Sequence, residues 1–299
     1  MNLEESNYLE LLKNILHNGS ERKDRTGIGT KGIFGTQLRF SLENNKVPML
    51  TTKKMFSKGV IEELLFFLRG ETDTNKLMDK GVNIWKGNTT REFLDKRGLT
   101  HLPDGYMGKG YGFQWRKFGE NKRTLLAPDG YNYDHYSAYG VDQLKQVVDT
   151  LKTNPTDRRI IMTAWNPQQL PEMALPPCHM MVQFYVDSGK LSAQFYMRSI
   201  DTFLGLPFNI LSYAILTRIV AQTVGMEAKE LVFVGGDTHI YLNHFSQVVD
   251  QICREPFPFP TMTIYKKLET VEDIEALQLS DFRFEGYQSH PSIKAKMAV

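Results

Sequence analysis

Residues 209–224 are the segment that most limits what this chain can fold into. Their sequence, NILSYAILTRIVAQTV, is apolar nearly all round, and such a helix is stable only when other elements cover all of its faces. The segment therefore predicts a central helix inside a layered core. A chain of 299 residues can supply those layers, because a protein of this length buries roughly 75 % of its extended-chain surface.

Helical spacing of apolar residues predicts three further helices. The first covers residues 4–17 and stops at Gly19, and the second covers residues 59–69, with the sequence GVIEELLFFLR. The third begins near Val141 and ends near Asn154-Pro155. These segments, with the central helix, give the chain a substantial helical part.

Period-two alternation predicts strands between these helices. Phe34, Leu38, Phe40 and Leu42 alternate with Gly, Gln, Arg and Ser, which is typical of a half-buried strand. Short apolar runs at 160–165, 181–186 and 191–196 are typical of sheet strands. We find no repeat, linker or low-complexity tract, and we therefore expect one domain over residues 1–299, of mixed α and β type with antiparallel or mixed strands.

Residues 119–140 differ in composition from the rest. They contain four tyrosines together with Asp, Asn and Gly, a mixture typical of surface segments. We expect this stretch to form an exposed loop or a lid.

Composition excludes several classes of protein. Lys+Arg number 36 against 34 Asp+Glu, a balance that argues against a dedicated polyphosphate binder and gives no support for nucleic-acid binding. Two cysteines exclude a disulfide scaffold and a cysteine zinc site, and they favour a reducing, cytoplasmic compartment. The seven histidines lack metal-ligand spacing, so we expect no metal site. The acidic N-terminus and the absence of long apolar runs predict neither a signal peptide nor a membrane helix.

A glycine-rich stretch carries the first candidate site. Gly27, Gly29 and Gly32 match G-x-G-x-x-G, but a charged loop precedes them and a strand follows, which is the reverse of the dinucleotide-binding context. We therefore do not expect a dinucleotide there. The neighbouring Arg25 either presents its guanidinium to an anion or is an ordinary solvated arginine.

Three other arginines suit a phosphate ligand. Arg158 and Arg159 lead into an apolar strand, where one of them would point inward unless an anion meets it. Arg198 follows another apolar strand. The sequence does not show whether these guanidinium groups converge.

The two cysteines differ in their settings. Cys178 follows Pro176-Pro177 at a strand start, and His179 or a nearby arginine could favour its thiolate, although a buried cysteine is more often inert. Cys253 has the spacing of a helix core position, and we expect it to be inert.

Glu63 lies in a strongly apolar run. It is either a paired structural carboxylate or a desolvated general acid or base. The sequence leaves both readings open.

Four segments together resemble the thymidylate synthase family. They are ALPPCH around Cys178, RSIDTFLGLPFNILSYA from Arg198, GGDTHIYLNH from Gly235 and DRTGIGT from Asp24, and the similarity runs from about residue 5 to the C-terminal MAV. The resemblance implies one α/β domain with a large mixed sheet flanked by helices, and a homodimer joined through that sheet. It also implies reductive methylation of dUMP to dTMP, with 5,10-methylenetetrahydrofolate as one-carbon donor and reductant.

The resemblance also implies roles for single residues. Cys178 would be the nucleophile that adds to carbon 6 of the pyrimidine, with Arg198 favouring its thiolate. Glu63 would move protons through ordered water, and Tyr111 would assist removal of the carbon-5 proton. Asn209 would recognise uracil, and Asp201 would bind the pterin ring. The catalytic set is then Cys178, Glu63, Tyr111, Asn209, Arg198 and Asp201.

Two binding sets follow from the same resemblance. Arg158 and Arg159 would reach the phosphate from the partner subunit, and Lys54 would help to close the site over the C-terminus. The dUMP set is Arg25, Arg158, Arg159, Arg198, Ser199, Asp201, Asn209, His239 and Tyr241. The folate set is Lys54, Trp85, Asn88, Asp201, Leu204, Gly205, Phe208, Met297, Ala298 and Val299.

Two departures from the family pattern stand near the expected site. Met197 replaces a usual glutamine, and Gly108-Lys109-Gly110 replaces Gly-Pro-Val, which we expect to loosen the backbone before Tyr111.

The same fold would also suit two other functions. One is a deoxyuridylate hydroxymethylase, in which water captures the methylene intermediate; the other is a non-catalytic nucleotide- or RNA-binding protein on the same fold.

Overall fold

A mixed six-stranded sheet organises the fold in the computed structural model, which describes residues 2–126 and 132–297. In spatial order its strands are β1 (Ser20–Arg22), β2 (Thr30–Ser41), β8 (Glu227–Tyr241), β7 (Lys190–Asp201), β6 (His179–Asp187) and β5 (Ile161–Thr163). β7 and β8 pair in parallel and the other neighbours are antiparallel. The predicted large mixed sheet is therefore confirmed.

Helices pack against this sheet. The principal helices are α1 (Leu3–Asn18), α2 (Ser57–Leu68), α6 (Gln143–Thr153), α7 (Gly205–Thr223) and α8 (Phe245–Ile252). The short ones are α3 (Asn75–Met78), α4 (Arg91–Lys96), α5 (Tyr111–Lys117) and α9 (Val271–Glu275). A small second sheet pairs β9 (Thr261–Ile264) with β10 (Phe282–Glu285). None of the helices in the described ranges is long and apolar enough to cross a bilayer.

The predicted central helix is α7. It is the crossover that the parallel pair β7–β8 requires, and it packs between those strands on one side and α2 and α9 on the other. Residues are buried along its whole length, from Leu206 to Thr223. Its all-round apolar surface is thus explained by layers on more than one side.

The buried carboxylate of Glu5 fixes α1 to the segment before α2. It accepts hydrogen bonds from the backbone N–H and hydroxyl of both Thr51 and Thr52, at 2.7 to 3.0 Å. Burial raises the pKa of Glu5, against these hydrogen bonds. The clamp sets the direction of the chain at Lys53 and Lys54.

The alternation predicted for β2 is wrong at Phe34. Leu38 and Phe40 are buried, but Phe34 is 86 % exposed, and Ile33 packs against the core instead. Gly35 has a positive φ of 84°, which shifts the phase of the alternation between Ile33 and Leu38. Phe34 therefore lies on the surface, where Tyr185 of β6 is also exposed.

The expected loop at 119–140 is partly a β-ribbon. β3 (Asn121–Leu126) and β4 (Asn132–Ala138) pair antiparallel, with a register irregularity at Asn121/Lys122. Tyr131 lies outside the described residues, and Tyr139 is 81 % exposed. Backbone pairing between β3 and β4, which composition does not reveal, therefore gives most of the expected loop a regular structure.

Candidate active site

Cys178 stands at the start of β6, beside Arg198 of β7. The Arg198 guanidinium donates to the carbonyls of Pro177 at 2.8 Å and Pro176 at 2.9 Å, and its Nη2 lies 4.0 Å from Cys178 Sγ. Burial raises the pKa of the Cys178 thiol, and the guanidinium groups of Arg198 and Arg25 lower it. A cation faces the sulfur, as the arginine reading predicts.

The alternative source of charge, His179, is excluded. Burial lowers the pKa of His179 to about 3, so its imidazole is neutral near pH 7. Its Nδ1 shares a 2.8 Å hydrogen bond with Tyr213 Oη, and its ring stacks on Tyr111 at 4.0 Å. His179 is a packed aromatic neighbour of the cysteine and gives it no positive charge.

A cavity of about 710 Å³ opens at Cys178. It joins residues from the segment just before β6, from β7, β8 and α4, and from the β1–β2 loop. The predicted residues that line it are Arg25, Cys178, Arg198, Ser199, His239 and Tyr241. A second cavity, of about 530 Å³ near Arg218 and Lys190, is lined by none of the predicted site residues.

Strand register explains why these side chains meet. In the parallel pair Ser199 lies opposite Asp237, and Asp201 lies opposite His239. Gly236 allows this close approach, since a Cβ there would stand 3.0 Å from the Arg198 carbonyl oxygen. The carboxyl ends of two neighbouring parallel strands thus supply one wall of the cavity.

The β1–β2 loop presents Arg25. One Asp24 oxygen accepts from the backbone N–H and hydroxyl of Thr26 at 2.9 and 2.6 Å, and the other accepts from the N–H of Gly29 at 2.8 Å. Gly27 and Gly29 have φ of 76° and 84°, conformations that favour glycine. The glycines shape a turn, and Arg25 lines the cavity instead of projecting away from it.

His239 and Tyr241 lie at the C-terminal end of β8, and a hydrogen bond to Asp237 orients the His239 ring. His239 Nδ1 is 2.9 Å from Asp237 Oδ1, whose other oxygen accepts from Arg22 at 2.9 Å. Burial, with the nearby Asp201 carboxylate, raises the pKa of Tyr241 to about 12. The phenol therefore remains protonated near pH 7 and can donate a hydrogen bond.

Glu63 of α2 is a desolvated carboxyl group. Burial raises its pKa to about 7, while a 2.7 Å hydrogen bond from Trp85 Nε1 to its Oε1 favours the ionised form. Trp85 contacts Tyr111 edge-on at 5.9 Å, and Tyr111 Oη accepts from the backbone N–H of Cys178 at 2.7 Å. The described hydrogen-bond partner of this carboxyl group is an indole and not a cation, and a desolvated carboxyl group in such a setting can take up or release a proton near neutral pH.

Asp201 and Asn209 flank the start of α7. Asp201 Oδ1 accepts from the backbone N–H groups of Phe203 and Leu204, at 3.1 and 2.9 Å. Asn209 Nδ2 donates to the Gly205 carbonyl at 3.0 Å. A Cβ at Gly205 would stand 3.7 Å from Asp201 Cβ and 3.9 Å from Asn209 Nδ2, so the glycine lies between the two side chains.

Lys53 is a site neighbour that the sequence analysis missed. Lys54 is exposed, whereas Lys53 is buried, donates to the Phe203 carbonyl and lies 3.9 Å from the Phe203 ring. Burial lowers the pKa of Lys53 to about 7, against the attraction of Asp201. No pattern distinguishes the two lysines, since the difference comes from the Glu5 clamp.

Apart from Lys54, the predicted folate residues lie on three parts of the chain. Trp85 and Asn88 precede α4, and Leu204, Gly205 and Phe208 lie at the start of α7. Met297 is 46 % exposed, and the carbonyl before it, that of Lys296, accepts from the buried His244 Nε2 at 2.8 Å. The predictions for Ala298 and Val299 fall outside the described residues.

Arg158 and Arg159 do not line the Cys178 cavity. Both are exposed in the turn before β5, and Arg159 pairs with Asp157 at 2.8 Å. Neither arginine points inward, because the strand begins only at Ile161 and both residues precede it.

Cys253 is also not a core residue. It is exposed at the C-terminal cap of α8, beyond the last residue of the helix, where the periodicity no longer predicts burial.

Met197 and Lys109, at the two departures from the family pattern, both have defined surroundings in this structure. Met197 is buried opposite His179 in the β6–β7 pair. Lys109 donates its backbone N–H to Glu172 O at 3.2 Å and its Nζ pairs with the Glu172 carboxylate at 2.9 Å. A Cβ at Gly108 would stand 2.0 Å from that carbonyl. The expected loosening before Tyr111 is therefore opposed by direct bonds.

Four further cations were missed by sequence reasoning, and two of them, Arg22 and Lys23, lie beside Arg25 in the cavity lining. Lys96 and Arg97, at the end of α4, line the same cavity as Cys178. Charge alone could not single them out among 36 basic residues.

Among the residues that the structure describes, no group of three or more His, Cys, Asp or Glu is arranged to hold a metal ion.

Comparison with known proteins gives one consistent family. A family model described as thymidylate synthase matches residues 6–299. The chain is 50 % identical to the thymidylate synthase of Homo sapiens over 295 residues, covering 99 % of this chain and 91 % of that protein. It is 50 % identical over 308 residues to the thymidylate synthase of Saccharomyces cerevisiae, covering 100 % of this chain and 98 % of that one. The bifunctional dihydrofolate reductase-thymidylate synthase of Leishmania major is also 50 % identical, over 300 residues, with 56 % of its length covered.

Proposed function

Because this chain belongs to the thymidylate synthase family and is a folate-dependent methyltransferase, we propose that it methylates dUMP through a covalent adduct on Cys178. The products are dTMP and dihydrofolate, and the co-substrate is 5,10-methylenetetrahydrofolate. The observation that carries this proposal is the Cys178 sulfur, 4.0 Å from the Arg198 guanidinium in a cavity lined by Arg25, Ser199, His239 and Tyr241. We place the reaction in the cytoplasm.

The phosphate and sugar of dUMP define the first contacts. Arg25, Arg198 and Ser199 bind the phosphate, because guanidinium and hydroxyl groups are strong donors to phosphoryl oxygens. His239 and Tyr241 donate to the deoxyribose hydroxyl from the end of β8. Substrate binding therefore uses the groups that strand register already brings together.

The nucleophilic step then begins at the sulfur. The Cys178 thiolate forms a bond to carbon 6 of the uracil, and the electron pair of the 5,6 double bond moves to carbon 5 and O4. Carbon 5, now enolate-like, attacks the one-carbon iminium of the co-substrate. Carbon 5 then loses its proton, and the bond between the transferred methylene and the folate nitrogen breaks with its electron pair left on tetrahydrofolate. Hydride from tetrahydrofolate reduces the exocyclic methylene to the methyl group, and the Cys178–carbon 6 bond breaks with its electron pair on sulfur, which releases dTMP, dihydrofolate and the thiolate.

Proton transfers and recognition involve the residues around α7 and α2. Asn209 presents its carboxamide to N3–H and O4 of the pyrimidine. Glu63, whose pKa of about 7 suits both uptake and release of a proton, acts through ordered water at O4. Tyr111, hydrogen-bonded to the Cys178 backbone, assists loss of the carbon-5 proton, and Asp201 holds the pterin ring.

The co-substrate binds against partly exposed apolar side chains. Trp85, Leu204 and Phe208 pack on the core with part of their surface still open, which suits a flat pterin and its aryl extension. Asn88, Gly205, Lys54, Met297 and Ala298 complete this binding region. An apolar cover keeps water from the exocyclic methylene, so hydride and not water completes the reaction.

A homodimer is part of the proposal. Arg158 and Arg159 lie outside the cavity of their own subunit, which is consistent with their reaching the partner's phosphate site. Phe34, Tyr185 and Ile161, from three strands of the large sheet, are 86, 65 and 39 % exposed, and apolar groups of this size favour burial against a second subunit.

Product analysis tests the activity. With dUMP and methylenetetrahydrofolate we expect dTMP and dihydrofolate in equal amounts, and we expect Cys178→Ser to abolish turnover while it still binds dUMP. Hydroxymethyl-dUMP formed without dihydrofolate would show the hydroxymethylase instead. Binding of dUMP with no turnover in the parent protein would indicate a non-catalytic protein.

Mixed subunits test the dimer. A Cys178→Ser chain and an Arg158→Ala/Arg159→Ala chain are each expected to be inactive, and a refolded mixture should regain activity. The reason is that one hybrid site combines an intact cysteine with intact partner arginines. A mixture as inactive as its components would contradict the sharing of arginines.

A further inference from the structure

The Cys178 cavity carries more positive charge than one phosphate group neutralises. Its lining has six cationic side chains against the carboxylates of Asp24 and Asp237, an excess of four charges, whereas a phosphate monoester brings about two negative charges near pH 7. The whole chain has a formal charge of only +2, which argues against a protein dedicated to polyphosphate, but this overall balance conceals a local concentration of positive charge in the cavity. The six are Arg22, Lys23, Arg25, Lys96, Arg97 and Arg198.

Arg97 and Arg198 lie along the same short segment before Cys178. The Arg97 guanidinium donates to the carbonyls of Met173 at 3.4 Å and Ala174 at 3.2 Å, and that of Arg198 donates to those of Pro176 and Pro177. The Ala174 and Pro176 carbonyls are two residues apart, at most about 7 Å along an extended chain. A row of two guanidinium groups therefore borders the cavity.

Lys96 extends this row at the end of α4. Its Nζ pairs with Glu92 one helical turn earlier, but both side chains are more than 70 % exposed, and exposed pairs of this kind contribute little free energy. Glu92 does not line the cavity. Lys96 can therefore turn to an anion in the cavity at small cost.

We propose that this cavity binds a linear polyphosphate, with one phosphoryl group at Arg25 and Arg198 and the distal groups at Lys96 and Arg97. The ligand class is the chain of a nucleoside 5′-triphosphate or the inorganic chain itself, bound in competition with dUMP. The inference rests on the proposed function, because that function places the dUMP phosphate at Arg25 and Arg198.

Competition for dUMP binding provides the test. Displacement of dUMP from the full-length protein is measured by calorimetry at low salt, with inorganic tripolyphosphate, orthophosphate and dUTP as competitors. Charge-assisted hydrogen bonds to Lys96 and Arg97 should make tripolyphosphate bind at least about tenfold more tightly than orthophosphate. If the nucleoside adds its own contacts, dUTP should bind more tightly still; equal affinity of dUTP and tripolyphosphate assigns the site to the inorganic chain.

Variants separate this site from general charge effects. Lys96→Ser/Arg97→Leu should remove most of the advantage of tripolyphosphate over orthophosphate and leave dUMP affinity within about twofold. Arg97 also donates to backbone carbonyls of segment 173–177, so the double variant could disturb that segment. Lys96→Ser alone leaves those bonds in place and should remove a smaller part of the advantage of tripolyphosphate. Arg91→Leu, on the same helix but outside the cavity lining, and Lys145→Ser, an exposed i,i+4-paired lysine elsewhere, are the matched controls.

The outcomes are distinguishable. Loss of the advantage in the Lys96 and Arg97 variants, with the controls unchanged, supports the proposal. An equal advantage in all variants, or tripolyphosphate no better than orthophosphate in the parent, overturns it while dUMP binding still supports the proposed function. Failure of dUMP itself to bind would instead refute the proposed function.

Discussion

Replacing Glu63 with glutamine should stabilise this protein at alkaline pH while it removes the group that we propose transfers protons during turnover. Glutamine keeps the shape of the side chain and its carbonyl oxygen can still accept from Trp85 Nε1, which lies 2.7 Å from the Glu63 carboxyl group. What the substitution removes is the negative charge that burial disfavours. Stability and activity are therefore expected to change in opposite directions.

The magnitude follows from the pKa of Glu63. Burial raises it from an ordinary 4.5 to about 7, so between these values the folded protein keeps a proton that the unfolded chain has lost. Stability from this group is lost as pH rises through that window, because the unfolded state binds fewer protons than the folded state. Above the window the cost is about 3 kcal/mol of unfolding free energy, and the glutamine variant does not have this cost.

Denaturant unfolding at fixed protein concentration measures the effect. The difference in unfolding free energy between the variant and the parent should be about 3 kcal/mol more favourable to the variant at about pH 8 than at about pH 4. The turnover of the variant should fall by at least about a hundredfold. Glu62→Gln is the control, because the buried Glu62 carboxylate pairs with Lys80 at 2.6 Å, and its loss should lower stability at neutral pH. A difference between Glu63→Gln and the parent that does not change with pH would refute the reasoning.

Three further perturbations test the remaining parts of the site. Trp85→Phe removes the indole donor to Glu63, so the pKa of Glu63 should rise by about one unit. The pH profile of kcat/KM measures this change. The control is Trp115→Phe, in the same aromatic cluster, which should leave the profile unchanged. Arg198→Leu removes the cation beside Cys178 and should raise the thiol pKa, slowing its alkylation by iodoacetamide at neutral pH by about tenfold. The exposed Cys253 in the same molecule supplies the reference rate, and equal slowing at both cysteines would contradict the assignment. Asp24→Ala removes the bonds that shape the Arg25 loop and should raise KM for dUMP by about tenfold with little change in kcat; an unchanged KM would show that the loop does not position Arg25.

Sequence patterns predicted those features that depend on local periodicity. The all-round apolar run became α7, and the short apolar runs became β5, β6 and β7. The predicted burial of Phe34 is wrong for a local reason that the pattern of polar and apolar residues does not show. Gly35 has a positive φ within β2 and shifts the phase of the alternation.

The site was predictable only where residue type and motif carried the signal. Cys178 and Arg198 meet because β6 and β7 are neighbours, a tertiary fact that no spacing shows. Lys53 and Lys54 are chemically identical neighbours, and the carboxylate of Glu5, about fifty residues earlier, fixes the chain direction at which one becomes buried. The neutral state of His179 likewise follows from the surrounding aromatic rings and not from its position beside the cysteine.

The parallel pairing of β7 with β8 also determines how this site would fail. Ser199 and Asp201 of β7 lie opposite Asp237 and His239 of β8 in one backbone register. A shift of β8 by one residue against β7 would turn Asp237, His239 and Tyr241 to the opposite face of the sheet at once, while Ser199 and Asp201 would keep their own face. Damage to the pairing would thus separate the proposed sugar contacts on β8 from the proposed phosphate and pterin contacts on β7, whereas length changes in the β3–β4 ribbon leave that register untouched.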